Sequence, residues 1–182
     1  MEPYLQGIVE QILAVVKKEN SELLNFAENE INSELGIFHM PELAFAYQCG
    51  KQVMLHAEKI FGENIPKWGR EIGLGNGGLT DLVFIFNDGK KIAIEFKMRT
   101  TGEAYIRDID KLSKIKDVNI TRILVAVIDA FAKEPLSDGR VMEIDNDDRS
   151  VKLGPIKVLE TKQSWYKREV SAVVGIWKIK PA

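Results

Sequence analysis

The sequence predicts an α/β fold in which a mixed central β-sheet is flanked by helices. Two apolar runs on either side of a turn at residues 87–89 predict an antiparallel hairpin. A helical pattern then leads to an almost unbroken apolar run at 121–129, which is typical of a strand buried on both faces. A strand, a helix and a second strand in this order pair the two strands in parallel. Antiparallel and parallel pairing are therefore both expected in one sheet.

The N-terminal region predicts a helical extension. Apolar residues recur at three- and four-residue intervals from Pro3 to Lys18, and Asn20 or Ser21 is suited to cap a second helix that Gly36 ends. We therefore expect a helical pair at 1–36 that packs on a single α/β domain at 37–182.

A further helix is expected from Met40 to about Gly62, because Pro41 occupies a favoured first-turn position. Its spacing predicts the following buried face: Leu43, Ala46, Tyr47, Gly50, Val53, Met54, Ala57 and Ile60. A strand is expected next, at 67–74. The glycines at 73–78 match the dinucleotide-binding pattern, but that pattern requires a helix directly afterwards and a strand-like run follows instead. We therefore reject a dinucleotide site.

The hairpin loop determines which side chains share a face of the sheet. A three-residue loop that ends in a left-handed glycine places Phe86 opposite Lys90. Counting away from this pair, Asp81 lies opposite Glu95, and Lys97 lies on the same face because side chains alternate. A two-residue loop would place the two carboxylates on opposite faces. We expect the three-residue loop.

These three charged groups fit two interpretations. Paired carboxylates bind hard divalent cations such as Mg²⁺, and the Lys97 ammonium is suited to position or activate a water or to stabilise developing negative charge. Alternatively, Lys97 forms an ion pair with Asp81 or Glu95 at a solvated strand end, and the other carboxylate faces water. The spacing alone fits both.

Asp81 followed by Glu95-Phe96-Lys97 in the next apolar strand resembles the motif of the PD-(D/E)XK nuclease superfamily, which has the restriction-endonuclease-like fold. The resemblance implies an enzyme that hydrolyses phosphodiester bonds with Mg²⁺ or Mn²⁺, and DNA as the expected substrate. It implies that Asp81 and Glu95 bind the metal and that Lys97 assists the attacking water.

The resemblance extends over residues 41–129, where a helix, three strands, a helix and a strand follow the order of that fold's core. It implies the Phe96 carbonyl as a further metal ligand and Glu42, by its position, as an optional acid. Alternatively, Glu42 only interacts with the positive end of its helix. Thr80 stands where the motif often has proline, which makes the match less specific but removes no functional group.

The helix after the hairpin predicts a nucleic-acid-binding face. Arg107, Lys111 and Lys114 fall at steps of four and three, so they are expected on one exposed line that can neutralise phosphates. Tyr105, near the start of this helix, is expected to contact substrate together with Arg107. Alternatively, the basic line is an ordinary solvated face paired with neighbouring aspartates.

The charge balance argues against a global attraction to polyanions. Twenty-five Lys and Arg residues face 27 Asp and Glu residues, so the formal net charge is −2. This balance favours a rival interpretation, a non-catalytic nucleic-acid-binding or protein-interaction module of the same fold. The complete set of Asp81, Glu95 and Lys97 argues against that rival.

Three other features limit the class of protein. Cys49 is the only cysteine, which excludes an internal disulfide and predicts a buried, inert thiol. The sequence has no membrane-spanning apolar run and no signal-like N-terminus, so we expect a cytoplasmic protein. Cutting both strands of a duplex would require a dimer or two visits, and the N-terminal helices are the candidate surface for a homodimer.

The C-terminal third predicts short strands at 141–144, 151–159 and 172–179. The acidic stretch at 145–148 lacks the glycine and final glutamate of an EF-hand, so a polar turn is expected. Two aromatic and two basic residues lie together at 165–168. They fit either a single-strand-binding surface or a loop that packs on the core.

Overall fold

A seven-stranded mixed β-sheet runs through the protein and is covered by helices on both faces. The computed structural model describes residues 2–28, 36–131, 133–161 and 168–182. The α-helices are α1 Pro3–Glu28, α2 Glu42–Leu55, α3 Ala57–Phe61, α4 Gly102–Ser113 and α5 Gly139–Asn146. The strands are β1 Lys67–Gly73, β2 Leu79–Ile85, β3 Lys91–Met98, β4 Ile120–Phe131, β5 Ser150–Lys152, β6 Lys157–Glu160 and β7 Val170–Ile179.

The strand order is β1-β2-β3-β4-β7-β5, and β6 also pairs with β7. β3 and β4 are parallel, as expected for strands joined by a helical crossover, and the other pairs are antiparallel. The predicted α/β fold with a mixed central sheet is therefore confirmed. A strand, β2, follows the glycine-rich segment, which agrees with the rejection of a dinucleotide site.

The side-chain alternation of β3 divides the core into two layers. Ile92, Ile94 and Phe96 face the layer that contains α1 and α2, whereas Ala93 faces the layer that contains α4 and α5. β4 contributes to both layers and is buried along almost its whole length, as its unbroken apolar run predicts.

The hairpin between β2 and β3 has the predicted register. The Phe86 amide donates to the Lys90 carbonyl at 2.9 Å, and the Gly89 amide donates to the Phe86 carbonyl at 3.1 Å. Gly89 has a φ of 84°, the left-handed conformation that this loop requires. Leu82 pairs with Ile94, so the preceding residue of β2 is directly opposite Glu95.

The N-terminal region corrects the prediction of a helical pair. α1 is one continuous helix through Asn20 and Ser21, because no glycine or proline interrupts the helical pattern there. Asn20 does not cap a helix; its amide nitrogen donates to the Glu160 carbonyl at 3.0 Å, and its oxygen accepts from the Ile37 amide at 3.0 Å. The end of the predicted second helix falls at 29–35, outside the described residues.

The buried face of α2 differs from the predicted one. Phe45, Ala46, Cys49, Gly50 and Val53 are buried. In contrast, the predicted core positions Leu43 and Tyr47 are 47% and 43% exposed. The observed stripe is rotated because the hydrophobic pattern of this helix extends around most of its circumference, and packing on the sheet selects one side. The Cys49 thiol is buried, as predicted, and burial raises its pKa.

The C-terminal third contains a further correction. The predicted strand at 141–144 is part of α5, where Val141 and Ile144 are buried three residues apart, which is a helical spacing. Asp138 caps this helix by accepting a hydrogen bond from the Arg140 amide. The strand expected at 172–179 corresponds to β7. The aromatic residues at 165 and 166 lie outside the described part of the chain.

Candidate active site

The two ends of the β2–β3 hairpin and the ends of two helices meet at one edge of the sheet. β2 begins beside the end of the antiparallel β3. α2 also begins beside the end of β3, and α4 packs over the same edge. Six charged side chains lie here: Glu42 from α2, Asp81 from β2, Glu95 and Lys97 from β3, and Asp108 and Lys111 from α4.

Asp81 and Glu95 form an acidic pair across the hairpin. One Asp81 oxygen, Oδ2, accepts a hydrogen bond of 2.8 Å from the Phe96 amide, which fixes the carboxylate beside β3. Glu95 is only 2% exposed. Its pKa is raised to about 8, first because burial removes water from the carboxylate and second because of the negative charge of Asp81. Lys111 opposes this shift but does not cancel it.

Lys111 points into the site. Its Nζ lies 2.7 Å from Oε1 of Glu95 and also donates to the Leu79 carbonyl. The Asn76 side chain holds the Lys111 carbonyl at 3.1 Å. A β-carbon at Gly78 would lie 3.2 Å from Cε of Lys111, so the glycine-rich segment packs closely along this side chain. The prediction that Lys111 belongs to an exposed phosphate-binding line is therefore wrong.

Lys97 bridges two carboxylates from different helices. Its Nζ lies 3.2 Å from Oε1 of Glu42 and 3.3 Å from Oδ2 of Asp108. Burial alone would lower the pKa of Lys97, but these two carboxylates outweigh it and the pKa is raised. Lys97 is therefore held as an ammonium. Its partners are not the Asp81 and Glu95 of the simple strand-end ion pair considered above.

Glu42 is a full member of the site. Its second oxygen, Oε2, accepts a hydrogen bond of 2.8 Å from the Met98 amide, so the first residue of α2 is joined to the end of β3. This contact, together with the ion pair to Lys97, gives Glu42 a position that a helix-dipole interaction alone does not explain.

The donor set of this edge suits a hard divalent cation. Four carboxylates face two ammonium groups, so the fully ionised cluster carries an excess of two negative charges. Carboxylate oxygens are the preferred protein ligands of Mg²⁺. Yet within 2–28, 36–131, 133–161 and 168–182 no three His, Cys, Asp or Glu side chains are grouped closely enough to hold a metal ion. The two lysines engage the carboxylates that such an ion would use.

Of the residues predicted to contact nucleic acid from α4, some are exposed and others are not. Tyr105 is fully buried and its hydroxyl donates to the Val127 carbonyl at 3.3 Å, so the prediction that it contacts substrate is wrong. The reason is that the buried stripe of α4 passes through Tyr105 and Ile109. Arg107 and Lys114 are exposed, and Arg107 lies 3.8 Å from Glu103 one turn earlier.

Asp108 is a site residue that the sequence pattern did not predict. Asp108 and Lys111 are three residues apart and therefore share one side of α4, next to the buried stripe. Burial raises the pKa of Asp108, although Lys97 opposes the shift. An acid and a base at this spacing, directly after a hairpin with charged ends, are the sequence signal from which this side of the helix could have been predicted.

The fold and the site together define an α/β protein with a cluster of acids and lysines at one sheet edge. No protein-family model matches the chain, and neither a curated protein nor a solved structure is significantly similar to it. In the described part of the chain no helix is both long enough and apolar enough to cross a membrane.

Proposed function

We propose that this protein is a metal-dependent nuclease that hydrolyses phosphodiester bonds, with DNA as the expected substrate. The observation that carries the proposal is the register of the hairpin, which brings Asp81 opposite the buried Glu95. Two neighbouring carboxylates in a site from which water is largely excluded are costly to ionise unless a cation joins them. The raised pKa of Glu95 expresses that cost.

Asp81 and Glu95 would hold Mg²⁺ or Mn²⁺, with the Phe96 carbonyl and Glu42 as further ligands. The bound ion would supply a Lewis acid for the phosphate and lower the pKa of a coordinated water. For Glu95 to act as a ligand, it must lose the proton that its pKa of about 8 retains at neutral pH.

Lys97 acts as a cation in this proposal. Its raised pKa makes it a poor proton acceptor, so the role of general base does not suit it. A fixed ammonium can orient the attacking water and stabilise the negative charge that develops on the phosphate oxygens. Glu42 and Asp108 hold this ammonium in place from two sides.

A second candidate function is a non-catalytic binding module of the same fold. The specific observation in its favour is that Glu95 and Glu42 already have ammonium partners at 2.7 Å and 3.2 Å. In that case the acids and lysines stabilise the sheet edge, and the protein works through its surface.

Cleavage of supercoiled plasmid and of single-stranded DNA, with Mg²⁺ or Mn²⁺, separates these functions. We expect metal-dependent cutting that Asp81→Asn and Lys97→Ala each abolish. The matched controls are Asp88→Asn and Lys90→Ala, because Asp88 and Lys90 form an exposed ion pair at the opposite end of the same hairpin. No cutting under any condition, or cutting that Asp81→Asn leaves unchanged, would favour the binding module.

A further inference from the structure

The outer side of α2 exposes large apolar groups in line with a lysine. Leu43, Tyr47 and Lys51 follow one another at four-residue steps, so they lie along one side of the helix. All three are exposed, although the opposite side of α2 is packed on the sheet. The exposed leucine and tyrosine lie beside each other and form a small apolar surface on this side of the helix.

The edge strand β1 extends this surface. The ring centroid of Trp68 lies 5.8 Å from that of Tyr47, and the guanidinium carbon of Arg70 lies 5.6 Å from the Tyr47 ring centroid. Trp68 lies against Gly50, where a β-carbon would be 2.4 Å from the indole ring. The two rings and the guanidinium therefore lie in contact with one another, and the indole of Trp68 packs on α2 at Gly50. We call Leu43, Tyr47, Lys51, Trp68 and Arg70 the α2–β1 patch.

The α2–β1 patch is positively charged in a protein that is acidic overall. Lys51 and Arg70 contribute two positive charges, and α2 has no acidic residue between Glu42 and its end at Leu55. The formal net charge of the chain is −2, whereas the five patch residues together carry two positive charges. The exposed Glu71 follows Arg70, and Glu19 lines the same groove as Lys51. Its charge complements a polyanion, and its rings offer flat apolar faces.

The α2–β1 patch begins next to the candidate active site along α2. On α2, Leu43 directly follows Glu42, whose carboxylate contacts Lys97 and the Met98 amide. On β1, Arg70 pairs with Leu82 and lies with it on the α2 face of the sheet, whereas Asp81 and Glu95 lie on the opposite, α4 face. A ligand that lies along the patch therefore reaches the site at Glu42, over the edge of the sheet.

We propose that the α2–β1 patch binds an unpaired strand of nucleic acid and guides it to the active site. Aromatic rings interleaved with cations are the means by which proteins hold single strands, because every base has a face that can stack and every nucleotide carries a phosphate. Paired bases are already stacked within a duplex, so a duplex offers these rings no free base face. Unpaired nucleic acid is therefore the proposed substrate class of the nuclease. Binding to the patch stands by itself, whereas the link to cleavage rests on the proposed function.

Fluorescence anisotropy of a labelled oligothymidylate, about 16 nucleotides long to cover one binding site, tests the proposal. Metal is removed with EDTA, so binding is measured without cleavage. We expect Tyr47→Ala and Arg70→Gln each to weaken binding at least about 5-fold, the lower end of the effect of one stacked base. Tyr47→Phe keeps the ring and should keep the affinity. Phe26→Ala, at an exposed phenylalanine of α1, and Lys90→Gln are the matched controls and should change nothing.

Four results would overturn the proposal: no binding by the wild-type protein, equal affinity for duplex DNA, unchanged binding in Tyr47→Ala and Arg70→Gln, or equal loss in Phe26→Ala. A change in self-association of Tyr47→Ala without a change in oligonucleotide binding would assign the patch to a second copy of the chain instead. The binding assay contains no metal, so its result does not depend on cleavage. A protein that binds the oligonucleotide but cuts no DNA in the cleavage assay would contradict the proposed nuclease and support the proposed role of the patch.

Discussion

Lys111 of α4 extends its ammonium group to 2.7 Å from a carboxylate oxygen of Glu95, at the base of the acidic pair. The ammonium group therefore contacts a carboxylate oxygen that a divalent cation would need as a ligand. An ammonium and a metal ion therefore compete for Glu95, and the occupancy of the site depends on which of them is held more tightly.

Replacing Lys111 by methionine should increase the affinity for Mn²⁺. The substitution keeps much of the aliphatic chain but leaves four carboxylates with one ammonium, so the cluster attracts a cation more strongly. Removing Lys111 also raises the pKa of Glu95 further, so the affinities are compared after correction for the protons that Mn²⁺ displaces in each protein; we then expect a gain of about 10-fold, equivalent to about 1.4 kcal/mol. Calorimetric titration with Mn²⁺ measures the change. Lys114→Met, at the exposed residue that directly follows α4, should leave the affinity unchanged. A weaker affinity in Lys111→Met would mean that Lys111 supports the metal ligands instead of competing with the metal.

The stability of the metal-free protein should fall as the pH rises from about 4.5 to about 8. Glu95 keeps its proton in the folded protein up to about pH 8, whereas in the unfolded chain it loses the proton near the ordinary pKa of 4.5. Between these values the folded state binds more protons, so raising the pH favours unfolding. The effect is about 1.4 kcal/mol for each unit of pKa difference.

Denaturant unfolding of the wild type and Glu95→Gln across this range, in EDTA, isolates the contribution of Glu95. The variant should lose much of the dependence and should be the more stable protein at about pH 8, because a neutral amide replaces a buried charge. The exposed Glu103→Gln serves as the control. Parallel pH profiles for the wild type and Glu95→Gln would contradict the prediction.

Truncation of Glu42 should destabilise the protein more than neutralisation does. Glu42→Ala leaves the Met98 amide without its acceptor, at a cost of about 1–3 kcal/mol. Glu42→Gln retains an acceptor for this amide and loses only the charge beside Lys97, so its cost should be smaller. Chemical denaturation of the two variants gives the comparison. Equal costs would indicate that the ion pair, and not the hydrogen bond, joins α2 to β3.

An alanine at position 50 should destabilise the fold and disturb the α2–β1 patch together. Its β-carbon would lie 2.4 Å from Cζ3 of Trp68 and 2.9 Å from a methyl carbon of Leu82. Overpacking of this kind costs about 1–3 kcal/mol. Thermal unfolding would report the first effect, and anisotropy of the labelled oligothymidylate would report the second. Gly139→Ala, at the first position of α5 where a β-carbon meets nothing within 4 Å, should be neutral or slightly stabilising.

The hairpin register could be predicted because it depends on local properties. The loop length, its terminal glycine and the alternation of side chains determine that Asp81 faces Glu95, and none of these requires knowledge of the rest of the fold. The parallel pairing of β3 and β4 follows equally from the order of elements.

The surroundings of that pair could not be predicted from the sequence in the same way. The predicted stripe of α2 is rotated in the structure, because a helix with apolar residues on several sides is oriented by what it packs against, and Tyr47 is exposed as a result. On α4, Tyr105 belongs to the buried face, and Asp108 and Lys111 beside that face contact the site. The charged environment of Glu95 and Lys97 is thus a product of tertiary packing.

The contact between Glu42 and Met98 also has a kinetic consequence. The two residues are 56 positions apart, so the chain between them must close a long loop before the contact forms. Distant contacts of this kind slow folding, since their entropy is lost before they contribute stability. We expect the edge that holds Lys97 to form together with the sheet during refolding and not ahead of it. A chain still emerging from the ribosome would carry these acids and lysines unassembled until the end of β3 can dock beside α2.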